Sequence, residues 1–162
     1  MQGENIIYNT PQILEVNGYL DLNRLEKAFQ KLIQRHDILR THFIMENGTP
    51  IQKITDSIEF LLEFEVINKE LDIQQLLNEF VEPFNLSESP LLRAKVVQIT
   101  ENKSILIIDI HHIICDGVSK KTLLGDLSKF YEGKYLATPE IQYKDYSVWE
   151  NNRNCLDKRI IG

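Results

Sequence analysis

The run Ser104-Ile105-Leu106-Ile107-Ile108-Asp109-Ile110 constrains this chain most, because it is nearly all apolar, largely β-branched, and has no polar face to turn toward water. Such a run reads as a strand buried on both faces, so layers of other structure are expected above and below it. It leads straight into His111-His112-Ile113-Ile114-Cys115-Asp116-Gly117 and then into a helical pattern. Leu123, Leu124, Leu127, Phe130 and Tyr131 form that helix's buried stripe, with Gly133 as its stop. Two imidazoles therefore stand where a strand gives way to a tight turn, a place suited to proton transfer. Successive strand residues point to opposite faces, so His111 and His112 cannot share one task, nor easily one metal, and one of them is expected to be structural. Asp116 and Gly117 supply turn chemistry: the carboxylate bonds backbone two residues on, and glycine accepts a positive φ. Cys115 reads as a small buried hydrophobe rather than a nucleophile, since only the two histidines near it in sequence could lower its pKa.

The remaining chain alternates strand and helix patterns. Residues 12–18 read as a strand closed by Asn17-Gly18, and Asp21 as the N-cap of a helix whose buried face is Leu22, Leu25, Phe29, Leu32 and Ile33. Residues 38–45 and 51–54 are predicted to form a hairpin about Asn47-Gly48. An alternating strand over 58–66 precedes an amphipathic helix over 71–80, ended by Pro83. Residues 91–99 and 105–112 form a second predicted hairpin, whose later strand delivers the histidine pair. Tyr143, Tyr146 and Trp149 read as a packed aromatic cluster, and the polar tail from Asn151 has no evident closing element. Arg35-His36-Asp37 follows a helix expected to end near Gln34, where cations favour the helix dipole, and Arg40 reads as a surface residue of the next strand.

No repeat or composition shift divides the 162 residues, so one α/β domain over residues 1–162 is expected, with helices covering a mixed, mostly antiparallel sheet. A net charge of -6 without a lysine or arginine block argues against nucleic acid as a partner. No apolar stretch is long enough to cross a bilayer, and the amino terminus lacks the pattern of a signal peptide. A cytoplasmic protein without membrane contact is expected. Cys115 and Cys155 are the only cysteines and are read as thiols. Glycine-rich phosphate loops, Cys-x-x-Cys and His-Glu-x-x-His are all absent, so neither a nucleotide cofactor nor a bound metal has support from the sequence.

Four stretches, lying between residues 8 and 149, together resemble the condensation domain of nonribosomal peptide synthetases. Residues 111–117 resemble its HHxxxDG motif, and Arg35-His36-Asp37-Ile38-Leu39-Arg40-Thr41-His42-Phe43 is similar to its RHExLRTxF element. Glu82-Pro83-Phe84-Asn85-Leu86 with Pro90-Leu91-Leu92-Arg93 resembles PFDL…PLLR, and residues 143–149 resemble YxDYAVW. The resemblance implies a chloramphenicol acetyltransferase-like sandwich, which in that family occurs as two lobes in a V with the active site between them. The match is to the first lobe, so the chain is expected to be a truncated N-terminal lobe, with the C-terminal lobe and the opening SxAQxRLW element missing.

By resemblance His112 is the catalytic histidine, His111 and Asp116 hold the loop, Gly117 makes the tight turn, and Arg35 and Arg40 are structural members of their motif. Asp116 is expected to accept from a buried arginine, with Arg40 as one candidate and the missing lobe as another source. The implied reaction is amide bond formation in antibiotic and other secondary metabolism, between donor and acceptor thioesters tethered to phosphopantetheine arms. Carrier domains would present those arms, so no cofactor is bound directly; the missing lobe and an adjacent adenylation domain are further implied partners. Attack by an α-amine on a thioester needs a neutral amine and stabilisation of the tetrahedral centre. An imidazole, with an unperturbed pKa of about 6.5, serves either as base or as a group that positions the amine. Two other readings stay open: a free-standing acyl-CoA-dependent acyltransferase with its site between identical subunits, self-associating through the exposed lobe face, and a non-catalytic excised lobe that only docks carrier proteins.

Overall fold

The computed structural model describes residues 6–115 and 119–133. Its centre is the strand β6 (Lys103–His111), in which every residue from Ser104 onward is buried. The strand β1 (Asn9–Asn17) flanks it antiparallel, with Ile13 opposite Ile107 and Asn9 opposite His111. On its other side β5 (Leu92–Thr100) is also antiparallel, with Val96 opposite Leu106. A short strand, β4 (Glu63–Val66), adds to β5 in parallel, so the order is β1-β6-β5-β4. The expected mixed, mostly antiparallel sheet is present.

Side-chain alternation divides the core in two. Leu106, Ile108 and Ile110 join Leu92, Ala94 and Val96 on one face, against Leu25, Phe29, Leu32 and Ile33 of α1 (Leu22–Arg35) and Leu123 and Leu127 of α4 (Lys120–Tyr131). Ile105, Ile107 and Val97 face the other way, against Leu76, Leu77 and Phe80 of α2 (Ile73–Phe80). The sheet is thus the middle of three layers, as the unbroken apolar run of β6 requires.

Local signals place the helix ends. Asp21 caps α1 by accepting from the Arg24 N–H at 3.1 Å, Asp72 caps α2 through Gln75, and Ser119 caps α4 through Thr122. Gly133 follows α4 with a φ of 82°. Asn47 and Gly48, with φ of 52° and 77°, turn the hairpin of β2 (Thr41–Glu46) and β3 (Thr49–Ile54) as the sequence predicts.

Two predicted strands are shorter in the structure. Residues 37–40 form a 3-10 turn (Asp37–Arg40), and β2 begins only at Thr41. The turn buries Ile38 and Leu39 completely, and the Thr41 hydroxyl donates to the Asp37 carbonyl at 2.8 Å. Of residues 58–66, only Glu63–Val66 pair as a strand. Upstream, α1 takes the backbone groups that a ladder would use: Gln30 donates to the Phe60 carbonyl and the Leu62 N–H donates to Glu26 at 2.9 Å. Phe60 meanwhile stacks on Phe29, with ring centres 5.0 Å apart.

Candidate active site at the end of the central strand

His111 is the last residue of β6 and is 4% exposed; His112 is exposed and opens the single turn α3 (His112–Cys115). The strand expected to run to residue 112 stops at His111, so the change from strand to helical turn, rather than strand alternation, separates the pair. Ile114 anchors α3 by burying itself in the core, which leaves His112 on the solvent side. The His111 backbone N–H donates to the Leu91 carbonyl, and its ring Nδ1 accepts the Ile113 N–H at 3.0 Å. A nitrogen that accepts an N–H carries no proton, so His111 is a neutral imidazole protonated at Nε2. Burial, followed by the nearby His112, pushes its pKa below the ordinary histidine value. Phe84 meets the ring edge-on and Tyr8 lies across from it, each with a centroid distance of 6.0 Å. His111 therefore bonds back onto the turn that begins with His112. Asp116 and Gly117 lie outside the described residues, as do the Cys115 side chain and the aromatic segment 143–149.

The second motif is brought together, but around partners of its own. Arg40 is 7% exposed and is not a surface residue of a strand. Its Nε donates to the Ile33 carbonyl, Nη1 to the carbonyls of Thr55 and Asp56, and Nη2 to the Gln34 carbonyl and the Asp37 carboxylate. Five acceptors meet the five N–H groups of a guanidinium, so a bond from Arg40 to Asp116 would have to displace one of them. Arg35 is the last residue of α1, and its Nε donates to Asp126 Oδ2 at 3.1 Å; His36 Nε2 donates to the same oxygen at 2.8 Å. Burial lowers the His36 pKa, and the Asp126 carboxylate only partly offsets this. The motif thus locks the end of α1 to α4, the helix that follows the histidine loop.

Asp126 went unnoticed in the sequence. The available signal was its place on the buried stripe between Leu123 and Leu127, where an acid needs a partner. Asp109 is a second case, fully buried, with its carboxyl accepting from Asn9 Nδ2 at 2.7 Å. Burial raises its pKa, against the opposing pull of Asn9 and then Arg93. Among the described residues no cluster of three or more histidine, cysteine or acidic side chains is arranged to hold a metal.

The family model of the condensation domain matches residues 1–158. The chain belongs to the condensation-domain family of nonribosomal peptide synthetases. This condensation domain is 43% identical over 149 residues to gramicidin S synthase 2 of Aneurinibacillus migulanus, covering 92% of this chain and 3% of that protein. It is 45% identical over 154 residues to surfactin synthase subunit 2 of Bacillus subtilis (strain 168), covering 95% of this chain and 4% of that one. It therefore spans a small fraction of the length of these relatives. Among solved structures, the complex of the X-domain and OxyB from teicoplanin biosynthesis is similar with a TM-score of 0.80 and 28% identity, over 90% of this chain and 33% of that chain. The chloramphenicol acetyltransferase-like lobe expected from the motifs is the fold observed.

Proposed function

We propose that this condensation domain takes part in forming an amide bond between a donor acyl or peptidyl thioester and an acceptor aminoacyl thioester. In this reading both substrates arrive on phosphopantetheine arms of carrier domains, and a second lobe and a neighbouring adenylation domain belong to the same assembly. Its compartment would be the cytoplasm. One observation carries the proposal: His112 stands exposed at the mouth of a fully buried strand, while its neighbour is folded inward and bonded to the same turn.

The amine lone pair attacks the thioester carbonyl, the C–N bond forms, and the carbon–sulfur bond breaks as the tetrahedral centre collapses to release a thiol. His112 accepts the proton that the attacking nitrogen sheds, or holds that nitrogen in line by a hydrogen bond. In this reading Asp116 and Gly117 hold the histidine loop, as the resemblance implies, while Arg35 and Arg40 brace the end of α1 through partners of their own. Replacing His112 with alanine in the intact polypeptide is expected to slow dipeptide formation on loaded carriers by about 10²–10⁴-fold, the usual worth of a positioned proton acceptor. An unchanged rate would remove His112 from the chemistry. A docking role without turnover is the second reading, supported by the similar X-domain, whose structure is that of a complex with OxyB. Carrier binding that persists in a protein without measurable turnover would favour it.

A further inference from the structure

One of the four motif stretches has no part in that chemistry, and it comes in two halves: residues 82–86, which contain Pro83 and Phe84, and residues 90–93, which end in Arg93. The structure brings them together beside His111. Arg93, on β5, donates from Nη1 to the Glu82 carbonyl at 2.7 Å and from Nη2 to the Pro83 carbonyl at 2.9 Å. Its guanidinium carbon lies 3.9 Å over the centre of the Phe84 ring. Asn9, opposite His111 on β1, fastens the same segment by donating to the Glu82 carbonyl at 2.7 Å, and its amide also bonds Asp109. Phe84 is 3% exposed, and its ring meets His111 at 77°. The two carbonyls and the aromatic face are thus engaged by one planar cation, a combination that a lysine ammonium cannot reproduce.

We propose that Arg93, Phe84 and Asn9 form a clamp that positions the His111 ring and, through its bond to the Ile113 N–H, the turn that carries His112. Without the Phe84 wall the imidazole is free to rotate, Nδ1 no longer faces the Ile113 N–H, and the first turn after the strand loses its tether. Arg93 touches no reacting atom in this scheme and acts as a positioning residue. The effect on rate rests on the catalytic reading of His112; the effect on His111 does not.

The test compares Arg93→Ala, Arg93→Lys and Phe84→Leu with wild type in the intact polypeptide, selectively labelled with 15N-histidine. Arg93→Ala is expected to move the His111 Nδ1 resonance away from the unprotonated, hydrogen-bonded position. It should also lower kcat about 10-fold, as a displaced catalytic group would, with KM for the acceptor thioester changed less than about twofold. Arg93→Lys should fall between Arg93→Ala and wild type in both readouts. Phe84→Leu keeps apolar volume but loses the ring, and it carries the test if Arg93→Ala does not fold. Unaltered His111 resonances in a folded variant overturn the clamp whatever the rates do. A shifted His111 resonance with an unchanged rate, in a protein where His112→Ala is also fully active, upholds the clamp and overturns the catalytic reading instead.

Discussion

A guanidinium brought out of water is tolerable only when each N–H finds an acceptor, and Arg40 achieves this with four backbone carbonyls and the Asp37 carboxylate. Arg40→Ala would remove a buried cation that five acceptors, including the Asp37 carboxylate, are arranged around, so it is expected to cost about 3–5 kcal/mol of stability, measured by urea unfolding. A loss below about 1 kcal/mol would mean that water replaces the side chain without penalty. Arg40→Lys is expected to recover little, because three donors on a flexible stem cannot match a five-donor plane. The importance of Arg40 was legible in the sequence only as part of a motif. Its surroundings were not, because four of its acceptors are backbone atoms that approach it only once α1 has ended and residues 37–40 have turned. Read one residue at a time, the segment looked like the start of a strand with an exposed cation.

Between elements, α1 and α4 are tied at both ends. The Asp21 N–H donates to the Tyr131 hydroxyl at 3.1 Å and Arg24 lies over the Tyr131 ring, while Arg35 and His36 converge on Asp126. The second tie is pH-sensitive. The folded pKa of His36 lies below its value in the unfolded chain, so the unfolded state takes up the proton first as pH falls. Stability should decline as pH drops below about 6.5 and level off once the folded histidine also titrates. Buried His111, shifted in the same direction, adds to this decline. Buried Asp109, whose pKa is raised, works in the opposite sense, so the difference between proteins is the test. On acidification from pH 7.5 to 5 the Tm of wild type is expected to fall by more than that of His36→Gln, and an identical pH dependence in the two would contradict the assignment. At this scale the sequence was most readable where one periodicity dominated. The apolar run of β6 and the stripes of α1 and α4 left no other arrangement. The shortened strand over residues 58–66 was hidden, because its alternation was genuine but α1 side chains claimed its backbone.

For the whole molecule, the decisive fact is where the three-layer sandwich stops. The central strand ends at His111, and His112 emerges there at the edge of a core that buries every residue of that strand from Ser104 onward. Family membership was readable at this scale because four motifs occur in order; three of them lie wholly or in part within the described residues, two of them meeting at this strand end and the third tying α1 to α4. No described helix is long and apolar enough to cross a membrane. The division of labour between the two imidazoles is the claim on which the account stands, and one paired measurement tests it. In the intact polypeptide, His112→Ala should remove about 10²–10⁴-fold of the amide-forming rate while stability stays within about 0.5 kcal/mol of wild type. His111→Ala should itself cost about 1–3 kcal/mol of stability, because it leaves the Ile113 N–H without its acceptor and opens space beside Phe84. The reverse pattern, a stability loss at residue 112 with the rate preserved, would contradict the account.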